Sequence, residues 1–527
     1  MKDFGTGGTG EWVVPQSQLH DIATTDFSRY ATTRPADAQP TTSPASDFPP
    51  AQITLSIAEC RASALRNNLD LKVSLYDPTI AHTSITEQEA AFESMFNGSA
   101  NYSQSKSPGA GNVKTFTQYN LSPDANVTVP LLTGGSLKFD APYSYQNNLG
   151  VFSLLNPSYT FNPNVTISQP LLRGFGFDVN AQGIRIAFYQ YEQAQARTKL
   201  EVIRVLADTD RAYWALYASQ AILQVRRQQY DLAVAQLQRA RRQVRAGVIA
   251  QPDVVRAESG VADQVEAIII AGNDVRQKER DLKRILNRAD LPIESFTKIV
   301  PGTRPSAISY NVDAGYLTRA AMTQRMEMLN IELQIVTETA NIRIARNAML
   351  PLLSVQYSYS HLGFSGSPST TFEQVWNKDY EGNNVGLTLQ IPLGNEAAKS
   401  QLRRALLNRL QQLATKQQQA AQIRQDVYNA VDTLNTDWQR ILAAHERVTL
   451  ADRVLRVEVR QFNLGLRTST DVLIAQSSLA DAQSSEISAI TDYQVAQVDL
   501  AFATGTSLGA SRVDWQPEGK DVERSVQ

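Results

Sequence analysis

Few residues in this 527-residue chain are arranged to do covalent chemistry. Its single cysteine, Cys60, can form neither an internal disulfide nor a thiolate metal cage. The four histidines, His20, His82, His361 and His445, are too scattered to give a ligand pair at helical spacing. Met326 and Met328 suggest soft-metal binding, but paired methionines far more often fill a core. No Ser/His/Asp grouping, no Gly-rich phosphate loop after a strand and no carboxylate pair in a cleft can be assembled, so no enzyme and no cofactor is expected. What does recur at a fixed spacing is a glycine and an aspartate. Gly247, five residues and then Asp253-Val254 is answered 218 residues later by Gly465, five residues and Asp471-Val472. A glycine that closes one helix and an aspartate near the start of the next is the chemistry of a helix–helix corner.

The flanks of both corners are heptad patterns. Leu216, Leu223, Tyr230, Leu237 and Val244 lead into the first; Leu434, Ile441, Val448, Leu455 and Phe462 lead into the second at the same offset. Val254, Val261, Ile268, Val275 and Leu282 leave the first; Val472, Leu479, Glu486, Tyr493 and Leu500 leave the second. A parallel line of Ala475, Ala482, Ala489, Ala496 and Ala503 would let neighbouring helices approach closely. Repeats this sustained predict two long antiparallel hairpins packed as in a coiled coil. On heptads alone, a soluble coiled-coil scaffold is an equally good reading.

Composition excludes several partners. A net charge of −2, from 50 basic and 52 acidic residues, implies no nucleic acid or other polyanion. No run of about 18 apolar residues exists, so no transmembrane helix is expected. Met1 to Gly10 has no apolar core of a signal peptide, which reads as a truncated or miscalled start. Cys60 lies inside a helical pattern and cannot serve as a lipid anchor. Residues 1–52, rich in Pro, Thr, Ser and Ala after about residue 31, read as a flexible lead-in, and 506–527 as a flexible tail.

Between them the chain reads as two copies of one unit, 53–300 and 301–505. Helical spacing runs from Ile53 to Asn67, and Asp77-Pro78 is expected to restart a helix toward Phe92. The second copy begins near Gly315 and runs in helix from Ile331 to Asn347. Each copy then changes to a period of two. Leu353, Val355, Tyr357 and Tyr359 alternate with polar residues, as do Val385, Leu387, Leu389 and Ile391. Leu137, Phe139, Ala141, Tyr143 and Tyr145, then Tyr159, Phe161, Val165 and Ile167, do the same in the first copy. Such alternation fits a half-buried sheet and a lipid-facing barrel wall equally. Both segments end on Pro170-Leu171-Leu172-Arg173-Gly174 or Pro392-Leu393-Gly394, and launch helices expected at about 179–246 and 397–464. Roughly 68 residues of helix is about 100 Å, far longer than a globular helix.

On these features, about residues 53–505 resemble the TolC-like outer-membrane efflux proteins. The resemblance rests on the duplicated order helix, strand, strand, long helix, tip, helix. Asn67-Asn68-Leu69-Asp70-Leu71, the Pro-Leu-Gly launches and the Gly-x5-Asp-Val tips add to it. It implies a mainly α fold with a transmembrane β-barrel portion, built by a homotrimer whose helices form a periplasmic α-helical barrel. It implies a passive exit duct embedded in outer-membrane lipid and loaded by an inner-membrane pump through a periplasmic adaptor. It implies that Gly247, Val248, Gly465 and Leu466 face the adaptor, and that Arg467 and Asp253 link the tips in a closed state. Two residues depart from the family. Phe462 stands where a tyrosine is usual and loses its hydroxyl bond; Ile474 replaces a second acidic residue after Asp471, so a cation-binding ring is not expected. A third departure is an extra hairpin candidate, Asn126 to Leu131 and Leu137 to Tyr145 about a Thr133-Gly134-Gly135 turn. The family pattern needs one strand pair per copy, so this hairpin either widens the barrel or projects from it.

Overall fold

Antiparallel pairs of long helices and one antiparallel sheet make up the computed structural model, which describes residues 52–108, 115–149, 155–247 and 250–513. The expected lead-in of residues 1–51 and the end of the chain from 514 lie outside the described residues. The first copy opens with β1 (Gln52–Leu55), α1 (Ile57–Asn67) and α2 (Leu69–Ala90). Its strands are β2 (Met95–Pro108), β3 (Thr115–Pro130), β4 (Ser136–Asp140), β5 (Tyr143–Leu149), β6 (Ser158–Phe161) and β7 (Asn164–Pro170). The short α3 (Phe177–Asn180) leads into α4 (Gln182–Arg245), and α5 (Gln251–Leu286) returns. After β8 (Lys298–Pro301) the second copy runs α6 (Ala314–Gln324), α7 (Met326–Ala348), β9 (Leu352–His361), β10 (Gly363–Ser365), α8 (Pro368–Asn377) and β11 (Glu381–Gln390). It closes with α9 (Glu396–Asn463), α10 (Ser469–Thr504) and the single turn α11 (Ser507–Ala510).

Three local expectations are corrected. Ile53 to Leu55 is strand rather than helix: β1 pairs in parallel with β8, Gln52 opposite Lys298. The helix starts only at Ile57 because Ser56 and Glu59 form a reciprocal capping box. Asp77-Pro78 starts nothing; α2 begins at Leu69, capped by the Asn68 side chain, which accepts from Leu71 N at 3.0 Å, and Pro78 lies inside it. Residues 506–513 are not a loose tail, since α11 is helical and Leu508 and Val513 pack on the main core.

The long helices are as long as the sequence implied. The 64 residues of α4 and the 68 of α9 span about 96 and 102 Å at 1.5 Å per residue. No helix reaches that length on propensity, so the stability comes from a buried stripe. In the second hairpin that stripe is the predicted seam. Leu434, Ile441, Leu455 and Phe462 on α9, and Ala475, Ala482, Ala489, Ala496 and Ala503 on α10, are all buried. Glu486 breaks the heptad and turns to His445, 2.8 Å away. In the first hairpin the buried line also takes in Gln229, Ala233, Gln236 and Ala240 on α4.

The main core lies where α1, α4, α5 and the β1–β8 ribbon meet, around Leu206, Tyr213, Leu216, Leu282, Leu286 and Ile299. Tyr213 is fully buried, and its hydroxyl bonds to Leu55 O at 3.2 Å and receives Thr303 N at 2.8 Å. Cys60 is buried there as well, and burial pushes its thiol up to about 12.

Candidate functional site

Two regions carry the function-bearing geometry: the sheet beyond one end of the long helices, and the tips at the other. The sheet is a six-row antiparallel meander. β3 pairs with β2 along its whole length and, on its other side, with β4 and β5. β4 and β5 are halves of one row, as are β7 and β6, and β9 and β10. The kinks between halves are bridged, not open: Ala141 N donates to Ala125 O, Asn162 N to Pro142 O and His361 N to Pro163 O, at 2.9–3.1 Å. Pro142 and Pro163 lie at these kinks, where a missing N–H breaks no ladder bond.

Strand alternation gives the sheet two unlike faces. Phe96, Val127, Phe139, Val165 and Tyr359 stand opposite one another across five rows; Val129, Leu137, Ile167, Tyr357 and Val385 follow one step on. On the other face Asn97, Asn126, Asp140, Asn164, Ser360 and Gly382 cross all six rows. The apolar face is open: Val385 and Phe96 are 75% and 69% exposed. An uncovered apolar sheet face of this extent needs a partner that is not water. The polar face is a hydrogen-bonded ladder, with Asn97 Nδ2 on Asn126 Oδ1, Asn164 Nδ2 on Asp140 Oδ2 and Thr166 Oγ1 on Ser358 Oγ, at 3.1–3.3 Å.

The hairpin that the sequence left open is a full member of this sheet. Its Leu131 to Gly135 turn is locked to the strand–helix junction. Gly176 N and the Gln169 side chain both donate to Thr133 O, at 3.0 and 3.1 Å. Gly134 has φ +87, and a Cβ there would lie 1.9 Å from Gly174 O, so only glycine fits. The launches are anchored too: Asn347 Oδ1 accepts from Gly174 N at 2.8 Å, and Asn395 Nδ2 donates to Met349 O at 2.9 Å.

At the tips both glycines close their helices in the left-handed region, φ +71 at Gly247 and φ +74 at Gly465. The second is a full Schellman closure: Gly465 N donates to Phe462 O and Leu466 N to Gln461 O, each at 3.0 Å. Thr468 then caps α10 in a box with Asp471, whose carboxyl is held below the usual range by the Thr468 backbone N–H and hydroxyl. Leu466 is exposed. Val248 and Ile249 lie outside the described residues. Asp253 sits in the first turn of α5 and pairs with Arg256 at 3.3 Å.

Arg467 does not pair with Asp253 within the protomer. Its Nε donates to Gln461 Oε1 at 3.0 Å and lies 3.4 Å from Glu458 Oε2, both on its own hairpin. Phe462 is buried among Leu455, Val472, Ala475 and Leu479. The aromatic ring is part of that hairpin's core. The two tips meet elsewhere, through Gln236 Nε2 on Ser469 Oγ at 3.5 Å and through Gly260, where a Cβ would press Leu473 at 2.9 Å. Glu458 and Gln461 were missed from sequence because a turn that folds an arginine back onto its own helix leaves no periodic signal.

Also missed were β2 and α8. β2 is Ser- and Asn-rich, and only the spacing of Phe96, Gly98, Ala100 and Tyr102 betrays it. Ser367-Pro368, an N-cap followed by proline at the first helical position, marks α8. This helix lies on the apolar face, where Phe372 packs 5.0 Å from the Phe161 ring and 6.0 Å from that of Tyr143. Among the described residues no helix is long and apolar enough to cross a membrane, and no group of three or more His, Cys, Asp or Glu could hold a metal.

Known proteins share this plan. Outer membrane protein TolC of Salmonella enteritidis is 24% identical over 396 residues, 72% of this chain and 75% of its own. The alkaline protease secretion protein AprF of Pseudomonas aeruginosa is 22% identical over 350 residues, 65% of this chain and 69% of its own. The crystal structure of CusC, reported for its transmembrane channel formation, superposes with a TM-score of 0.66 at 17% identity, covering 87% of this chain and 95% of CusC. The family profile described as outer membrane efflux protein matches residues 61–288 and 317–506, which takes in both copies and most of the chain. The chain therefore belongs to the outer membrane efflux protein family.

Proposed function

We propose that this chain is one protomer of a trimeric outer-membrane exit duct, passively conducting substrates that an inner-membrane pump delivers through a periplasmic adaptor, in efflux or type I secretion. The observation that carries this reading is the joining of a two-faced sheet to rods about 100 Å long. The apolar face meets outer-membrane lipid, the polar face lines a water-filled bore, and the rods cross the periplasm. One protomer cannot close a barrel, and open sheet edges are not tolerated in hydrocarbon. Three copies closing on one another remove the edges. AprF, named for secretion, and TolC support the same role.

The tips form the periplasmic mouth. Gly247, Val248, Gly465 and Leu466 face the adaptor, and Asp253, Arg467, Phe462 and Asp471 set the closed state. No cofactor takes part. The reading is tested by extracting membranes with detergent and measuring mass and conductance. A trimer in the outer-membrane fraction that opens ion channels in planar bilayers is expected. A monodisperse monomer in the soluble fraction would leave the coiled-coil scaffold instead.

A further inference from the structure

We propose that the inserted pair of rows, β3 and β4–β5, crosses the membrane as part of the barrel wall, so that the trimer closes with eighteen strands, six rows from each chain. The proposal rests on the exit-duct reading and adds the size and make-up of the exit. Four observations carry it. The inserted rows are interior, held by β2 on one side and by β7 and β6 on the other. They are long enough, since β3 has 16 residues and β4–β5 runs from Ser136 to Leu149, against the roughly 9–11 that a tilted membrane strand needs. They partition as the other rows do: Val127 and Phe139 continue the apolar face, Asn126 and Asp140 the polar one. A hairpin standing clear of the membrane would meet water on both faces and would have no reason to alternate. Lastly, the turn between them is bolted at Thr133 to the junction where β7 hands over to the helices, at the same level as the other row ends.

The row count also solves the closure. β2 leads away from the helices and β11 leads back, so with six rows the two open edges run in opposite directions. β2 of one chain and β11 of the next can then form an antiparallel pair, and the barrel keeps an even strand number. Barrel diameter grows roughly in proportion to strand number. Eighteen strands give a bore about half again as wide as two strands per copy would, in the range where porins hold an aqueous channel. Among the described residues of the sheet, β2, β7, β9 and β11 are the strands that join the helical part of the chain, through α2, α3, α7 and α9.

The test uses spin labels at neighbouring positions of the full chain, reconstituted in phosphatidylethanolamine–phosphatidylglycerol vesicles. Cys60 is buried and does not compete for label. Labels at Val127→Cys and Phe139→Cys should collide with oxygen and not with a water-soluble nickel chelate, and labels at Thr128→Cys and Lys138→Cys should do the reverse. A label at Leu387→Cys on β11 reports on the exit-duct reading itself. If Leu387 faces lipid while Val127 and Phe139 meet nickel, the inserted rows lie outside the wall and the proposal fails alone. If Leu387 also meets nickel, the membrane reading fails and takes the proposal with it. Should a labelled variant not assemble, a cross-section of the unaltered trimer by electron cryomicroscopy decides: eighteen strands support the proposal and twelve overturn it.

Discussion

Thr198 on α4 donates its hydroxyl to the Ser74 carbonyl on α2 across 2.8 Å. That carbonyl is the one Pro78 leaves without a partner, because proline four residues on has no N–H. A neighbouring helix thus supplies the bond that a continuous α2 lacks, and this is why Asp77-Pro78 interrupts nothing. Thr198 is almost completely buried. Thr198→Val should strand the Ser74 carbonyl and destabilise the fold by about 1–3 kcal/mol. In a Pro78→Ala background the alanine N–H restores the helical bond, and the same change should cost clearly less. A double-mutant cycle in denaturant with no coupling would refute the pairing.

The uneven legibility of the chain has the same physical root. The two tips, the alanine seam and the strand-to-helix launches rest on contacts between residues near in sequence, or on one repeat occurring twice. β1 and β8 are four residues each and 246 apart in register, Gln52 against Lys298. Nothing in four residues announces a partner at that distance, and helical spacing across Ile53 was the stronger local signal. Pro78 marks a helix start by every local rule and is overridden by one tertiary hydrogen bond. The hairpin at Thr133 was visible as strands and a turn, but its place in the sheet depended on β2, whose short polar residues hide its alternation. At the tips, spacing located Asp253 and the family resemblance pointed to Arg467, but neither gave the side chains that hold them.

The His445–Glu486 contact sets a pH dependence. Glu486, through its hydrogen bond first and its charge second, raises the His445 pKa above the ordinary 6.5, with Glu446 adding a smaller push. The contribution is therefore complete below pH 6.5 and lost as pH rises through the raised value. His445 should titrate above the ordinary histidine range in a carbon-13 NMR titration, and Glu486→Gln should bring its midpoint down. An unchanged midpoint would mean the contact is not populated.

Trp376 offers a test of where α8 lies. A Cβ on Gly363 would meet Thr371 O at 2.2 Å, so the helix is seated directly on β10. Trp376 projects from it, 87% exposed, beside the outer end of the apolar face. Tryptophan with an apolar body and one donor suits the membrane–water interface. Of the other four tryptophans, Trp214 and Trp438 are packed in the helices, against Tyr213 and Tyr493, and Trp12 and Trp515 lie outside the described residues. With Trp12 and Trp515 replaced by phenylalanine, brominated lipids should therefore quench part of the intrinsic fluorescence of the reconstituted protein, and Trp376→Phe should abolish nearly all of that part. Quenching that survives the substitution would place another tryptophan in the lipid.

The last prediction concerns closure at the tips. In the protomer the Arg467 guanidinium is held by Gln461 and Glu458, and Asp253 by Arg256. In the proposed trimer, an Arg467–Asp253 link would form by exchange of these partners as three protomers bring their tips together. Each such pair is partly exposed and worth only about 0–1 kcal/mol. Three by symmetry could reach a few kcal/mol, enough to bias a closed state and small enough for an adaptor to reverse. With Phe462 buried as core, no tyrosine hydroxyl shares the load. Arg467→Ser and Asp253→Ala should each raise single-channel conductance in planar bilayers and sensitise cells to large antibiotics. The double variant should be barely more open than either single one. Glu458→Gln separates the two arrangements. If it opens the channel as Arg467→Ser does while Asp253→Ala changes nothing, the second hairpin closes on its own tie, and Asp253 serves only to start α5.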